Sequence, residues 1–291
     1  MADGDRHPDH VAESGHLAGD LAQTGCRETA MSLRITPLPA FRDNYIWALH
    51  DERHAVVVDP GDAAPVLAFL REHALSLAAI LVTHHHHDHT DGIVDLLAAI
   101  PDCAVYGPRH EVIDGISHPV GEGDVVRIPE LDLSLSVWDI PGHTLGHVAY
   151  LGAGGVFCGD TLFGAGCGRL FEGSYAQLHH ALNRLAALPA ATRVYCTHEY
   201  TEANLHFALA CEPDNPDIRQ RQSATAALRA AGQPSLPSTI ALELASNPFL
   251  RCAVPAVVQQ AEHHLGHAPP DSLAVFTALR QWRNHFQAPA R

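Results

Sequence analysis

No stretch of the chain approaches the roughly 18 consecutive apolar residues that a membrane-spanning helix requires. The first residues also do not form the basic segment followed by an apolar one that marks a secretory signal. The 7 cysteines are odd in number, scattered, and contain no C-x-x-C pair. These absences predict no membrane insertion and no disulfide framework, and they indicate a reducing, cytoplasmic compartment.

Basic residues are scarce in this chain. The 18 Lys and Arg stand against 33 Asp and Glu, which gives a formal net charge of −15. A nucleic-acid or anionic-membrane surface needs clustered positive charge, so the sequence predicts neither kind of partner. An anionic small molecule remains possible as a substrate, because bound metal ions and a few local arginines can reverse the electrostatic field inside one cleft. No segment stands out as an interface, so we expect a monomer.

The 291 residues are enough for one large domain or two ordinary ones. Residues 1–31 are polar and without periodicity, which predicts a disordered N-terminal extension. Short apolar strands alternate with amphipathic helices over residues 32–200, the pattern of an α/β domain whose sheets pack between helices. After residue 200 only helical patterns interrupted by prolines occur, so residues 201–291 are predicted to form an all-α domain without strands.

The periodicity also predicts individual elements. The predicted strands are 33–38, 45–49, 55–58, 79–82, 104–106, 125–128, 131–137, 147–151, 156–158 and 193–196. The predicted helices are 65–73, a stretch that opens at Gly92, 174–188, 202–211, 217–231, 256–264 and 272–286.

The densest chemical signal is a histidine-rich loop that follows the buried strand 79–82. Residues 84–89 read His-His-His-His-Asp-His, and imidazole and carboxylate are common ligands of zinc and similar metals. His84 and His86 are two residues apart, so in an extended segment their side chains point the same way and can face one metal. Asp88 and His89 follow a turn, so their side chains can face a second metal a few ångströms away. The loop could hold two ligands for each of two metals. A solvated histidine loop, or a site for one metal, remains the alternative at this stage.

Three further strands end in residues of the same chemical kind. His143 follows the alternating strand 131–137, Asp160 follows strand 156–158, and His198 follows strand 193–196. A single histidine after a strand is more often structural. Four such strand ends in one domain together predict a metal centre.

These motifs together resemble the metallo-β-lactamase superfamily, and more narrowly the glyoxalase II family of hydroxyacylglutathione hydrolases, from about residue 33 to 286. The superfamily motif T-H-x-H-x-D-H is matched by residues 83–89. The narrower family is matched by residues 39–47, 159–163, 166–169, 171–173, 198–201, 204–205 and 247–251. The resemblance implies an αββα sandwich followed by a C-terminal all-α domain that binds substrate.

The resemblance also implies a site with two divalent metal ions per chain, zinc first, with iron or manganese as alternatives. The implied ligands are His84, His86 and His143 for one metal, Asp88, His89 and His198 for the other, and Asp160 as a bridge between them. A hydroxide that bridges the metals would attack the thioester of S-D-lactoylglutathione and give D-lactate and glutathione. Asp88 and Asp160 are the predicted catalytic residues, and His85, His87 and His147 are predicted not to be ligands.

Six residues match positions that contact glutathione in the family: Arg169, Phe171, Tyr200, Asn204, Arg280 and Arg283. Arg280 and Arg283 are three residues apart, so both lie on one face of a helix. Arginine forms bidentate pairs with carboxylates such as the two of glutathione. The chain departs from the family pattern at Arg283, where Lys is usual, and at Phe171, where some members have Tyr.

Three other functions remain open. The chain could be a different hydrolase of the superfamily, such as a lactonase or a β-lactamase. Such enzymes would lack the Thr-His-Glu-Tyr-Thr sequence found here at residues 197–201, and they would lack the C-terminal pair Arg280 and Arg283. It could be a persulfide dioxygenase, which uses one iron bound by the same motif. It could also be a metal-binding protein without activity, which any thioesterase turnover would exclude.

Overall fold

The computed structural model describes residues 33–287, and the extension predicted over residues 1–31 lies outside them. The strands are β1 (Arg34–Ala40), β2 (Asn44–His50), β3 (His54–Val58), β4 (Ser76–Leu81), β5 (Ala104–Pro108), β6 (His118–Val120), β7 (Val125–Ile128), β8 (Leu133–Asp139), β9 (Val148–Gly152), β10 (Gly155–Gly159), β11 (Leu162–Phe163), β12 (Gly166–Cys167), β13 (Arg193–Cys196) and β14 (Ser238–Thr239). The helices are α1 (Ala63–Glu72), α2 (His87–Thr90), α3 (Gly92–Ala99), α4 (Tyr175–Ala186), α5 (Thr201–Cys211), α6 (Pro216–Ala230), α7 (Ile240–Ser246), α8 (Pro255–Leu265) and α9 (Ser272–His285).

The strands form two six-stranded sheets and one small hairpin. The first sheet has the order β1-β2-β3-β4-β5-β6, and the second has the order β14-β13-β10-β9-β8-β7. In the first sheet β3 to β6 are parallel, whereas in the second only β10 and β13 are parallel. The αββα arrangement that the sequence predicted is confirmed, with helices outside the two sheets.

One apolar core lies between the two sheets. Period-two alternation points Trp47 and Leu49 of β2 into this core, where they join Tyr150 and Phe157 of the second sheet. The Trp47 indole Nε1 donates a hydrogen bond of 2.9 Å to the carbonyl of Cys196, which satisfies a buried donor and ties β2 to β13. The other face of the first sheet packs on α1 and α3 in a second core.

The region after residue 200 is helical, as predicted, apart from one short strand. The expectation of no strand there is wrong, because β14 pairs antiparallel with β13 through Arg193↔Thr239 and Val194↔Ser238. A two-residue strand cannot show alternation, so only its partner strand defines it. The prolines act at helix starts: Asn215 caps α6, and Pro216 occupies its first turn. In the part of the chain that the structure describes, no helix is long and apolar enough to cross a membrane.

Candidate metal centre

Ligand-type side chains from four loops meet at one edge of the two sheets. These connections follow β4, β8, β10 and β13, the first of them including the short helix α2, and together they carry all seven residues that were predicted as metal ligands. Among the described residues, three groups of three have ligand atoms that all lie within 4.8 Å of one another. Two of them are the predicted sets, His84, His86 and His143, and Asp88, His89 and His198, and the third joins Asp59 to His84 and His89. The three residues predicted for each metal therefore lie close to one another in the structure.

The first group is a cluster of three imidazoles. The Nδ1 atom of His86 lies 3.0 Å from Nε2 of His84 and 3.0 Å from Nε2 of His143. Burial lowers the pKa of His84 well below its ordinary value, and burial followed by His143 lowers the pKa of His86 to about 4. These rings are therefore neutral near pH 7 and suited to bind a metal through a ring nitrogen.

Hydrogen bonds at Nδ1 define the tautomers of two rings in this group, His84 and His143. The Thr83 hydroxyl donates to Asp59 at 2.7 Å, so its oxygen accepts from Nδ1 of His84 at 3.0 Å. The carbonyl oxygen of Arg169 accepts from Nδ1 of His143 at 2.6 Å. With Nδ1 protonated in both rings, each Nε2 directs a lone pair into the cluster.

The second group combines two imidazoles with a carboxylate. Oδ2 of Asp88 lies 3.8 Å from Nε2 of His89 and 3.4 Å from Nε2 of His198. Carboxylates behind the rings accept from their Nδ1 atoms at 2.9 Å, Asp59 for His89 and Asp43 for His198. Both rings again point Nε2 inward, the orientation that a carboxylate imposes on metal-binding histidines.

Asp160 lies between the two groups. Its Oδ2 atom is 3.5 Å from Nε2 of His143 and 3.4 Å from Nε2 of His198, and its Oδ1 atom is 3.5 Å from Nε2 of His89. Among the described residues, Oδ1 of Asp160 and Nε2 of His89 are buried without a hydrogen-bond partner. Buried lone pairs that converge in this way need a cation, so the donor set fits metal binding.

The carboxylates draw positive charge to the second group. Burial alone would lower the pKa of His89 and His198, but Asp160 and the other carboxylates outweigh it and raise these pKa values to about 10 and about 11. Burial would raise the pKa of Asp88, but the hydrogen bond from His198 and the charge of His89 hold it well below its ordinary value. A metal ion would supply this positive charge in place of protons.

Three other histidines near the loop have different surroundings. His85 turns away from both groups, with Nδ1 3.1 Å from Glu111 and Nε2 3.1 Å from Glu172. His147 is fully buried, stacks on the ring of His84 at 4.6 Å, and accepts from the backbone N–H of Asp160 at 3.2 Å. His87 is exposed at the rim of the cleft.

Sequence reasoning missed the residues that orient the ligands. Asp59 belongs to no predicted element or motif, and Asp43 and Asn44 are covered only by the family stretch 39–47. Asn44 donates to Oδ2 of Asp88 at 3.0 Å and so fixes the rotamer of that carboxylate. One signal was available for Asp59, because it directly follows β3 at the same sheet edge as the histidine loop.

A cleft of about 560 Å³ opens over the metal groups. All six predicted substrate contacts line it: Arg169, Phe171, Tyr200, Asn204, Arg280 and Arg283. Phe171, 61% exposed, presents its ring edge-on to His86 at 5.2 Å, and Tyr200 stacks on His198 at 4.7 Å. Two aromatic rings therefore flank the metal groups.

Three arginines give the cleft a positive wall. In residues 33–287, none of Arg169, Arg280 and Arg283 forms a salt bridge with an acidic side chain. Arg280 is buried and donates to the carbonyl of Cys167 at 3.0 Å, and Arg283 donates to the Asn204 side chain at 3.3 Å. Burial lowers the pKa of Arg283, and the neighbouring Arg280 lowers it further. The cleft is thus suited to an anionic ligand.

Comparisons with known proteins match both parts of the chain. The family model for the metallo-beta-lactamase superfamily matches residues 40–198, and the model for the hydroxyacylglutathione hydrolase C-terminus matches residues 199–286. The hydroxyacylglutathione hydrolase of Methylobacillus flagellatus is 56% identical over 252 residues, 87% of this chain and 99% of that protein. That of Nitrosomonas eutropha is 51% identical over 255 residues, 87% of this chain and 99% of that protein. The crystal structure of ETHE1 from Myxococcus xanthus has a TM-score of 0.58 and 26% identity, covering 87% of this chain and 98% of that one.

Proposed function

The chain belongs to the hydroxyacylglutathione hydrolases of the metallo-beta-lactamase superfamily, and on this premise we propose that it hydrolyses S-(2-hydroxyacyl)glutathione, chiefly S-D-lactoylglutathione, to glutathione and the 2-hydroxy acid. One observation carries the proposal. A single cleft joins two metal-ligand groups to three arginines without acidic partners among the described residues. A thioester carbonyl could therefore lie over the metals while the carboxylates of glutathione face the arginines.

The proposed cofactors are two divalent metal ions, zinc in the first place, with iron or manganese as alternatives. The residues that would hold them are His84, His86 and His143 for one ion, Asp88, His89 and His198 for the other, and Asp160 for both. Bound there, the ions would lower the pKa of a water molecule to near 7 and polarise the thioester carbonyl.

The side chains of the chain have separate tasks in this proposal. Asp88, whose rotamer is held by Asn44, has a carboxylate oxygen at the second group that can orient the attacking oxygen by accepting a hydrogen bond from it. Phe171 and Tyr200 line the cleft beside the metal groups and would flank the reacting bond. The leaving thiolate has a conjugate-acid pKa of roughly 8.5, so no general acid is required for its departure.

The arginines would divide the binding of glutathione between them. Arg280 donates through Nη1 to the backbone carbonyl of Cys167 and through Nη2 to Asn284, whereas its buried Nε has no partner among the described residues. It would therefore contribute mainly positive charge. Arg169 is exposed and free of side-chain hydrogen bonds among the described residues, and it would take a carboxylate at the cleft mouth. Because Asn204, Arg280 and Arg283 follow residue 200, we also propose residues 32–200 as the metal-binding domain and residues 201–291 as the substrate-binding domain.

The test is hydrolysis of S-D-lactoylglutathione by the purified protein, with metal content measured on the same sample. Turnover with about two metals per chain is expected. A His143→Ala variant should lose metal and turnover, whereas His180→Ala, a change of an exposed histidine on α4, should alter neither. No turnover with two metals bound would refute this substrate, and a single iron per chain would favour a persulfide dioxygenase.

A further inference from the structure

The hairpin formed by β11 and β12 is too small to hold its own shape. Each strand has two residues, the ladder pairs only Leu162 with Cys167 and Phe163 with Gly166, and Ala165 in the turn has φ of 54°. Even full-length isolated hairpins are marginal in water, and a non-glycine residue at positive φ adds strain. The conformation of this hairpin must therefore be imposed by neighbouring groups.

Asn247, which follows α7, supplies much of that constraint. Its side-chain Nδ2 lies 3.3 Å from the carbonyl oxygen of Phe163 and 2.9 Å from that of Gly166, so one amide spans both strands. The same nitrogen also donates to Oε2 of Glu243 at 2.9 Å, and because an amide carries only two hydrogens, the longer contact with Phe163 shares one of them. Asn247 is fully buried, so no water can replace these hydrogen bonds without rearrangement.

Glu243 holds the turn of the hairpin from behind. Its Oε2 atom accepts from the backbone N–H of Ala165 at 2.9 Å, and its Oε1 atom accepts from Arg221 at 2.6 Å. Glu243 is fully buried and Arg221 nearly so, which makes the pair a charge-compensated anchor within the helical region. The helices after residue 200 thus control a segment that belongs to the metal-binding part of the chain.

The hairpin connects the metal groups to the arginine wall. At its end, Gly168 donates to Thr161 at 3.1 Å, and a Cβ added at Gly168 would lie 1.9 Å from the carbonyl oxygen of Asp160. The carbonyl of Cys167 accepts from Arg280 at 3.0 Å. A shift of the hairpin would therefore move Asp160 and Arg280 relative to each other.

We propose that Asn247, backed by Glu243, is a positioning residue for the hydrolysis, an inference that rests on the function proposed above. It holds the β11–β12 hairpin in one conformation, and the hairpin sets the spacing between Asp160 at the metal groups and Arg280 in the substrate cleft. Its effect is on both turnover and substrate binding, although Asn247 touches neither metal ligand nor substrate.

The test compares Asn247→Ala with Asn215→Ala in the full-length, metal-loaded protein. Asn215 is the control, because its oxygen accepts from Asp217 N–H as that of Asn247 accepts from Phe249 N–H, and its Nδ2 donates to a carbonyl outside the hairpin, that of Ala245 in α7, at 3.1 Å. The measurements are kcat and KM for S-D-lactoylglutathione, metal content, and amide hydrogen exchange of residues 162–168.

Asn247→Ala is expected to lower kcat/KM at least tenfold, with kcat lower and KM higher, and to speed amide exchange in residues 162–168 at least tenfold. Asn215→Ala should stay within twofold of wild type in every measurement. The inference is overturned when both variants keep wild-type kcat and KM, or when exchange at the hairpin is unchanged in Asn247→Ala.

Two further arms keep the test decisive. If Asn247→Ala does not fold, Asn247→Ser is used, because its hydroxyl can still accept from the Phe249 N–H, which Asn247 now binds at 3.1 Å, but cannot span both strands. If the wild-type protein does not hydrolyse the thioester, the proposed function fails by itself. Hydrogen exchange and metal content then decide the positioning role independently of activity.

Discussion

Replacing Asp59 by asparagine should weaken metal binding although Asp59 is not among the predicted ligands. Oδ1 of Asp59 accepts from the backbone N–H of Thr83 at 2.7 Å. Oδ2 accepts from the Thr83 hydroxyl at 2.7 Å and from Nδ1 of His89 at 2.9 Å. One side of the carboxylate therefore accepts from the Thr83 N–H and the other from the Thr83 hydroxyl and His89, and the side chain is almost fully buried.

An asparagine amide has only one acceptor, so it can satisfy only one of these sides. If its oxygen faces the Thr83 N–H, its NH₂ faces His89, favours the Nε2–H tautomer and removes the lone pair that a metal would use. If the amide is flipped, the buried Thr83 N–H loses its partner, which costs about 1–3 kcal/mol. Loss of such an outer partner typically weakens metal affinity by about 10–100-fold. Because neither orientation of the amide satisfies all donors, we expect zinc affinity to fall about 100-fold, which corresponds to about 2.7 kcal/mol of binding free energy.

The assay is competition for zinc between the protein and a chromophoric chelator near neutral pH. Asp51→Asn is the matched control, because Asp51 is also buried and accepts from two backbone groups, Arg53 N–H at 2.6 Å and His54 N–H at 2.7 Å, away from the metal groups. Both of these hydrogen bonds go to Oδ1, an acceptor that asparagine retains, so the control should keep its thermal stability and keep its zinc affinity within twofold. Asp59→Asn with an affinity as close to wild type as that of Asp51→Asn would refute the reasoning about the His89 tautomer.

Three other predictions concern the same cleft. The double change Arg280→Ala and Arg283→Ala should raise KM for the glutathione thioester by tenfold or more and lower kcat less, since it removes positive charge from the binding wall; steady-state kinetics with an unchanged KM would contradict this. Asp88→Asn should lower turnover at least 100-fold, or lose metal, and a variant with full metal content and full turnover would exclude an orienting role for this carboxylate. Because the pKa values of His89 and His198 are raised to about 10 and about 11, metal binding near neutral pH should displace about two protons and strengthen as pH rises, which calorimetry in buffers of different ionisation enthalpy can count.

Local patterns in the sequence were sufficient for most of the fold. Strands β7 and β13 have the predicted bounds, and most other elements agree within a few residues, because alternation and helical periodicity depend on neighbours along the chain. The elements that were missed are α2, β6, the β11–β12 hairpin, α7 and β14. They are too short to carry a period of their own, and they exist because another part of the protein pairs with them or packs on them.

The sequence by itself determined which side chains could form the metal centre, because ligand-type residues directly follow buried strands and strand ends are predictable from local hydrophobicity. Only the tertiary structure decided how those side chains are held. Asp59 and Asp43 orient His89 and His198 from 30 and 155 residues away. Nη1 of Arg280 donates to a carbonyl 113 residues away. Such contacts form where the two sheets and the C-terminal helices pack together. Hydrophobic periodicity reports only on neighbours along the chain, so it cannot predict contacts between distant segments.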